Sequence, residues 1–403
     1  MQGATRFVSS LRYRDWRYLW IGLMTSQTGE WMDNIAINWL VYVQTGSPLA
    51  LGTTQLARGL PNIFFSLVGG VIADRVDRRT LMIWTQLGNL VCTIVLAGLA
   101  TAGSLDLPVL FVLLIVRGSV GAFFGPARGS VIGDLVPRSE IPNAVVLHSA
   151  VFNSTRMVGP AIAGILIAII GSAFVLWINA ASLAVCVLML ILMRVPPRAA
   201  AAMLSAWGSF VEGIRYVRRQ PVVLMLLLLG IGPFILGQPY QSMMPVFARD
   251  VLQVGPQGLG LLTTAAATGS LVGAFVMTAF GDFSGKGRAM LLGLMAYGSL
   301  IAAFALSPWP IVSGLVLFLV GCSFQIYATT NSTLVQLIVP SEYRGRVLGI
   351  HQTDRGFIPL GSMLMGSIAQ VAGAPFAVAL MGGSLVIAAL AVLAAVPRMR
   401  RLE

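Results

Sequence analysis

Charged residues are scarce in this sequence, because aspartate, glutamate, lysine and arginine make up only 10% of its 403 residues. Soluble domains carry about 25% charged residues, so the scarcity excludes an ordinary soluble globular protein. Hydrophobic residues account for 57% of the chain. The composition therefore predicts an integral membrane protein.

Cysteine is also rare, and Cys92, Cys186 and Cys322 lie far apart within apolar stretches. Isolated cysteines in such positions behave as small hydrophobic residues, and they offer neither a disulfide framework nor the spacing of a metal site. A phosphate-binding loop is incomplete, because Gly287 follows Lys286 where serine or threonine is required. We therefore expect no metal, no cofactor, no direct coupling to ATP and no enzymatic activity.

Lysine is almost absent, since Lys286 is the only lysine among 26 basic residues, which outnumber 14 acidic residues and give a net charge of +12. In a soluble protein this excess would indicate nucleic-acid binding. Here most arginines lie in short segments between apolar runs, as the positive-inside rule describes. With both termini in the cytoplasm, Arg249 is the only basic residue of the predicted outer loops. We expect this topology in the plasma membrane and no nucleic-acid partner.

Twelve apolar runs are long enough to cross a bilayer, for which about 20 residues suffice. They form two sets of six on either side of a polar segment. The runs lie near residues 17–43, 50–73, 80–102, 107–125, 144–169, 173–193, 222–247, 257–280, 289–307, 310–330, 347–371 and 375–396.

The polar segment divides the chain into two six-helix halves, residues 1–196 and 221–403, joined by a cytoplasmic linker, residues 197–220. From Trp207 onward, apolar residues of the linker recur at helical spacing beside arginines. This pattern predicts an amphipathic helix on the anionic lipids of the inner leaflet.

The two halves repeat each other. The segment 134–140 after the fourth run is echoed by 336–342 after the tenth, and the loop 70–79 is echoed in weaker form by 281–288. Both pairs lie about half a chain apart. Parallel six-helix repeats, with a ligand site near mid-membrane, are typical of one large class of transporters.

The loop between the second and third runs concentrates charge in an apolar region. Its residues Gly70, Asp74, Arg75, Arg78 and Arg79 follow the spacing Gly-x-x-x-Asp-Arg-x-x-Arg-Arg. Gly70 allows close helix contact, and Asp74 can accept hydrogen bonds at a helix N-terminus. The arginines can bridge acidic groups or lipid phosphates. A topology anchor is the simpler alternative.

The loop and the repeat together resemble the major facilitator superfamily across the whole chain. Arg117, with Gly121, is similar to the arginine motif of the fourth span, and Gly159, Pro160 and Gly164 are similar to the exporter motif of the fifth. Segments at 29–42 and 334–356 resemble the branch that contains the enterobactin exporter and macrolide efflux proteins. The resemblance implies an all-α fold of twelve transmembrane helices and alternating access. It also implies proton-coupled export and a conformational latch at the 70–79 loop.

Ionisable residues inside the membrane are costly and usually line a cavity or pair with one another. Glu30, Asp33, Arg117 and Asp354 are candidates for proton coupling, because a carboxyl removed from water can carry a proton. A hydrated rim position for the first two and a structural ion pair for Arg117 are the alternatives. The candidates for the substrate cavity are Asn34, Asn38, Arg156, Gln238, Gln241, Tyr327, Asn331, His351 and Arg355.

The sequence thus predicts a monomeric secondary transporter that exports amphiphilic small molecules in exchange for protons. A facilitator or importer of the same fold is the nearest alternative. A non-transporting membrane sensor or scaffold and a lipid-modifying membrane enzyme are the others. The substrate stays open among a siderophore, a macrolide, a lipophilic cation and a lysolipid.

Overall fold

The computed structural model describes residues 9–73, 76–195, 206–281, 283–396 and 399. This part of the chain is helical and contains no strand. It divides into two compact units, the first formed by residues 1–43 and 57–202 and the second by 44–56 and 203–403.

Seven α-helices precede the polar segment. They are α1 (Arg14–Thr45), α2 (Pro48–Ala73), α3 (Arg78–Thr101), α4 (Leu107–Gly121), α5 (Phe124–Leu135), α6 (Ile141–Ile170) and α7 (Ser172–Leu192).

Eight further α-helices follow, not counting the short helical turns between Pro233 and Val251. They are α8 (Ala206–Arg219), α9 (Pro221–Gly232), α10 (Gly255–Phe280), α11 (Lys286–Leu306), α12 (Pro310–Ile338), α13 (Ser341–Gln352), α14 (Ile358–Ala372) and α15 (Ala374–Ala395). After α9 the chain continues through short π-helical and 3-10 turns as far as Val251.

Twelve long helical segments therefore occupy the positions of the twelve apolar runs, and the all-α membrane fold is confirmed. Within the described residues, nine segments are long and apolar enough to span a membrane by composition alone. The eleventh run differs from the prediction of one continuous helix. A 3-10 turn at Thr353–Phe357 separates α13 from α14, where the sequence places Asp354, Arg355 and Gly356 in succession.

The first unit has a buried apolar core near the N-terminal end of α1. Trp16, Leu19 and Leu23 of α1 are at most 1% exposed, and Met82 of α3 and Leu190 of α7 pack with them. A helix that buries this face against several neighbours cannot rotate freely about its axis. The core therefore fixes which side of α1 faces the unit's interior further along the helix.

The second unit relies on close helix contacts at small residues. On α11 and α15, Gly298 and Gly382 each face the other's backbone, so that an added Cβ would lie within 3 Å of a carbonyl oxygen. Small residues permit such approach where lipid supplies no hydrophobic driving force between helices.

The linker helix α8 packs against α13. Gly213 faces Arg346, Tyr216 stacks on Tyr343 with ring centroids 4.4 Å apart, and Glu212 pairs with Arg346 at 2.9 Å. The linker forms a helix over Ala206–Arg219, and one of its faces contacts protein. The arginines of its last turn and a half are exposed: Arg215, Arg218 and Arg219.

The second unit includes the beginning of α2, a feature that the division at residue 196 does not anticipate. Ser47 donates a hydrogen bond of 2.7 Å to Gln370 of α14. Gly52 lies against the backbone of Ser362, and Gly366 lies against Pro48. Glycine on both helices brings the two backbones close, so this short stretch joins the second unit.

Candidate substrate cavity and buried charges

A polar cavity of about 140 Å³ lies within the first unit, lined by residues of α1 to α5 and α7. Its lining is rich in side-chain amides, which both donate and accept hydrogen bonds. Three ionisable residues also face it: Glu30, Arg58 and Arg117. The five amides are Gln27, Asn62, Gln86, Asn89 and Asn179.

Asp33 is the centre of an ion-paired cluster beside this cavity. Its side chain is fully buried and accepts from Arg58 Nη2 at 2.5 Å and from Arg117 Nη1 at 3.1 Å to each oxygen. Asn179 lies close to the same carboxylate. A buried carboxylate is stable when charged partners and hydrogen bonds replace its water. Two guanidinium groups supply both here.

Two glycines allow close helix contacts around the cluster. A Cβ on Gly118 of α4 would overlap the backbone oxygen of Arg58, so glycine lets α4 lie against α2. A Cβ on Gly29 of α1 would overlap Ser182 and Asn179 of α7. The first of these contacts brings the helices that carry Arg58 and Arg117 together.

Glu30, one turn before Asp33, has a different environment. Its side chain is exposed at the cavity and accepts a hydrogen bond of 3.0 Å from Gln27. Two carboxylates three positions apart on one helix therefore differ. Asp33 is buried and paired with two arginines, whereas Glu30 remains open to water. Asn38 donates to Asn34 at 3.1 Å, and neither belongs to the described cavity lining.

The exporter-like motif lies on the buried side of α6. Gly159, Pro160 and Gly164 are buried, and a Cβ on Gly159 would overlap Trp31 of α1. The helix runs continuously through Pro160, so the motif forms a close contact with α1. Arg156, on the same helix, is half-buried and lies outside the described lining of the cavity.

A second polar cluster lies in the second unit around Asn331 of α12. Its amide nitrogen donates to the carbonyl of Leu226 at 3.1 Å, and its oxygen lies 2.6 Å from His351 Nε2. The histidine nitrogen therefore donates in this contact. Tyr327, one turn earlier, donates to the carbonyl of Leu229 at 2.6 Å. The structure brings together Tyr327, Asn331 and His351 as a network against α9.

Asp354 belongs to the same cluster and is only 2% exposed. Its Oδ2 lies 4.0 Å from His351 Nε2 and has no hydrogen-bond partner among the described residues. Gly230 of α9 faces this oxygen, since an added Cβ would lie 2.5 Å from it. The arrangement is a buried carboxyl with one nearby imidazole, whereas Asp33 has two guanidinium partners.

Three other candidates of the second unit lie elsewhere. Gln241 donates to Gln238 at 2.8 Å within the 3-10 turn that follows α9. Arg355 is exposed, although Asp354 next to it is buried. The 3-10 turn at this point directs the two neighbours to different environments.

Two arginines of the predicted latch contact groups of the first unit. Arg78 pairs with Asp134 at 3.2 Å, and Arg79 donates to the carbonyls of Leu190 and Ile191 at the end of α7. A cation at a helix C-terminus is favourable because the last carbonyls lack helical partners. Asp74 and Arg75 lie outside the described residues, and the surroundings of Gly70 are not described.

Sequence reasoning missed Arg58 and most of the cavity amides. Arg58 lies within the predicted run 50–73, which otherwise reads as apolar, and a charged residue at membrane depth was the available signal. Asn62, Gln86 and Asn89 carry no such signal, because single uncharged polar residues are common in helices. No three His, Cys, Asp or Glu side chains in the described ranges lie close enough to hold a metal ion.

The long apolar helices around a polar cavity with buried ion pairs are those of a multi-pass membrane protein. Residues 5–403 match the transmembrane secretion effector family. The chain belongs to this family of the major facilitator superfamily, and it is a multi-pass membrane protein that transports small molecules. The resemblance inferred from the sequence motifs is confirmed.

Relatives of known name cover most of the chain. It is 26% identical to the staphyloferrin A transporter of Staphylococcus aureus, over 88% of this chain and 89% of that protein. It is 27% identical to the multidrug efflux pump Tap of Mycolicibacterium fortuitum, over 87% and 88%. A solved bacterial homologue of the human lysosomal transporter Spinster, inward-facing and unoccupied, matches with a TM-score of 0.74 at 17% identity over 96% and 97%. This last likeness concerns the fold alone.

Proposed function

We propose that this protein is a proton-coupled exporter of small molecules in the plasma membrane, with both termini in the cytoplasm. Its relatives include a staphyloferrin A transporter and a multidrug efflux pump, which supports export of a comparable compound. The arginine bias of the predicted cytoplasmic loops supports the orientation. We further propose a monomer whose exposed arginines on α8 contact anionic lipid headgroups.

The environment of Asp354 is the observation that carries the proton coupling. Its carboxyl is buried, and Oδ2 lacks a hydrogen-bond partner among the described residues. The nearby titratable groups are His351 on the same stretch and Tyr327 on α12, and Arg355 is adjacent but exposed. A proton on this carboxyl removes a buried charge that has no close cation. Asp354 is therefore our first choice for the proton-binding residue.

Antiport needs only that proton and substrate favour different states of the protein. In the proposed cycle, protonation of Asp354 favours the state that releases substrate, and deprotonation favours the state that binds it. By thermodynamic linkage, the substrate must then lower the affinity for the proton by the same factor. The Asp33 cluster keeps its ion pairs throughout and supports the substrate cavity.

Flux into inside-out proteoliposomes tests this function. The purified protein is reconstituted, the lumen is made acidic, and uptake of staphyloferrin A, erythromycin and ethidium is followed. Accumulation of one compound that collapses when a protonophore removes the pH gradient is the expected result. Accumulation unaffected by the protonophore would refute proton coupling, and downhill equilibration alone would indicate a facilitator.

Glu30→Gln is expected to change the apparent KM for substrate and to leave the pH-driven character of transport intact. Glu30 faces the cavity and retains contact with water, so its role in this proposal is contact with the substrate. Accumulation ratios and apparent KM, measured with and without the pH gradient, check this expectation. Loss of gradient-driven accumulation with unchanged KM would instead make Glu30 the coupling acid.

A further inference from the structure

The lining of the first-unit cavity defines a chemical class of ligand. Besides its charged residues, it presents five side-chain amides from four helices. An amide offers two N–H donors and a carbonyl acceptor, and together they match a ligand with many oxygen atoms. An apolar ligand would leave these groups without partners, which costs binding free energy for each polar group so buried.

Several of these amides retain hydrogen-bonding capacity. Gln86 is 4% exposed, and its amide nitrogen donates to the weak acceptor Cys186 Sγ at 3.5 Å. Asn89 donates to Gln86 at a long 3.4 Å. Asn62 is exposed at the cavity. These amides can therefore form further hydrogen bonds with a ligand in the cavity.

The guanidinium groups add hydrogen-bond donors suited to an anionic group. Arg58 and Arg117 share the single carboxylate of Asp33, and Glu30 also lines the cavity, so the formal charges there are two positive and two negative. The two arginine side chains are 24% and 11% exposed and line the cavity. Each guanidinium has five N–H donors, and only one nitrogen of each contacts Asp33. Further donors therefore remain for a ligand carboxylate, with which arginine forms paired hydrogen bonds.

The volume limits how much of a ligand this unit can hold. Pockets for drug-sized ligands measure roughly 300–1,000 Å³, whereas this cavity measures about 140 Å³. It therefore has room for a head group rather than for an entire macrolide or siderophore.

From these observations we infer that the first-unit cavity binds a hydroxycarboxylate head group, one carboxylate accompanied by several hydroxyl or carbonyl oxygens. The carboxylate approaches Arg58 and Arg117, and the oxygens bond to Asn62, Gln86 and Asn89. This inference rests on the proposed transport function and names its substrate class.

Equilibrium binding to the full-length protein in lipid nanodiscs tests the substrate class. Titration calorimetry with citrate, gluconate and galacturonate is compared with tetraphenylphosphonium, a lipophilic cation. We expect saturable binding of at least one hydroxycarboxylate and none of the cation. Asn62→Leu and Asn89→Leu should each weaken hydroxycarboxylate binding at least tenfold. Asn153→Leu is the matched control, because Asn153 is exposed on α6 and bonds to its own helix at Ser149.

Two outcomes would overturn the inference. One is that no hydroxycarboxylate of the set binds to the wild-type protein. The other is that binding is equal in the Asn62→Leu, Asn89→Leu and control variants, each first shown to elute and melt as the wild type does. Because no pH gradient is present, a failure of proton coupling leaves this result unchanged. Binding without pH-driven flux would refute the coupling alone.

Discussion

Asp33→Asn is expected to abolish transport and to destabilise the protein strongly. The substitution removes the one carboxylate that Arg58 and Arg117 share, and it leaves two buried like charges side by side. Breaking a buried ion pair by removing one partner costs about 3–5 kcal/mol. Thermal unfolding in detergent and flux in proteoliposomes measure the two effects.

Two variants give this experiment its controls. Asp106→Asn changes an exposed aspartate that precedes α4 and makes no side-chain cap, so it should melt as the wild type does. Asp33→Asn combined with Arg58→Gln should melt above Asp33→Asn alone, because the like-charge repulsion is relieved. Equal melting temperatures for the single and double variants would show that the cluster contributes little to stability.

Asp354→Asn is expected to eliminate gradient-driven accumulation while preserving downhill exchange of substrate. Asparagine imitates the protonated carboxyl in shape and charge, so the variant cannot release the proton that the cycle requires. The measurement is uptake into proteoliposomes with and without a pH gradient, together with counterflow at equal pH. Counterflow near the wild-type rate with no response to the gradient is the expected pattern.

Glu342→Gln serves as the control for this second substitution, because Glu342 is exposed in the first turn of α13. It should accumulate substrate as the wild type does. If Asp354→Asn also accumulates substrate in response to the pH gradient, then Asp354 is not the coupling residue. Glu30 then becomes the next candidate for the coupling residue, and Glu30→Gln is the variant that tests it.

The fold can be predicted from the sequence because each membrane helix is recognisable from its own residues. Roughly 20 consecutive apolar residues mark a span whatever it packs against, and the repeated segments 134–140 and 336–342 mark the two halves. The break at Thr353–Phe357 is harder to predict. Its polar residues favour an interruption, but the contact of Asp354 with Gly230 joins distant parts of the chain and has no local signal.

The candidate site could be predicted only in part, because its residues lie far apart in the sequence. Asp33 and Arg117 were recognisable as charges in apolar runs, yet 84 positions separate them, and nothing local joins the two. Arg58 completes the cluster from a third helix. Glu30 and Asp33 illustrate the same limit at short range. They lie three residues apart on α1, and the close contact of Gly29 with α7 determines which carboxyl is buried.

The balance of charges at the cavity has an electrical consequence. Arg58 and Arg117 face Asp33 and Glu30 there, so two formal positive charges are matched by two negative charges. A bound carboxylate adds one negative charge, and a unit charge that crosses the whole transmembrane field exchanges about 2.3 kcal/mol per 100 mV. The empty and the loaded carrier therefore differ in their response to voltage. Currents recorded from the reconstituted protein after a voltage step should grow as hydroxycarboxylate saturates the cavity.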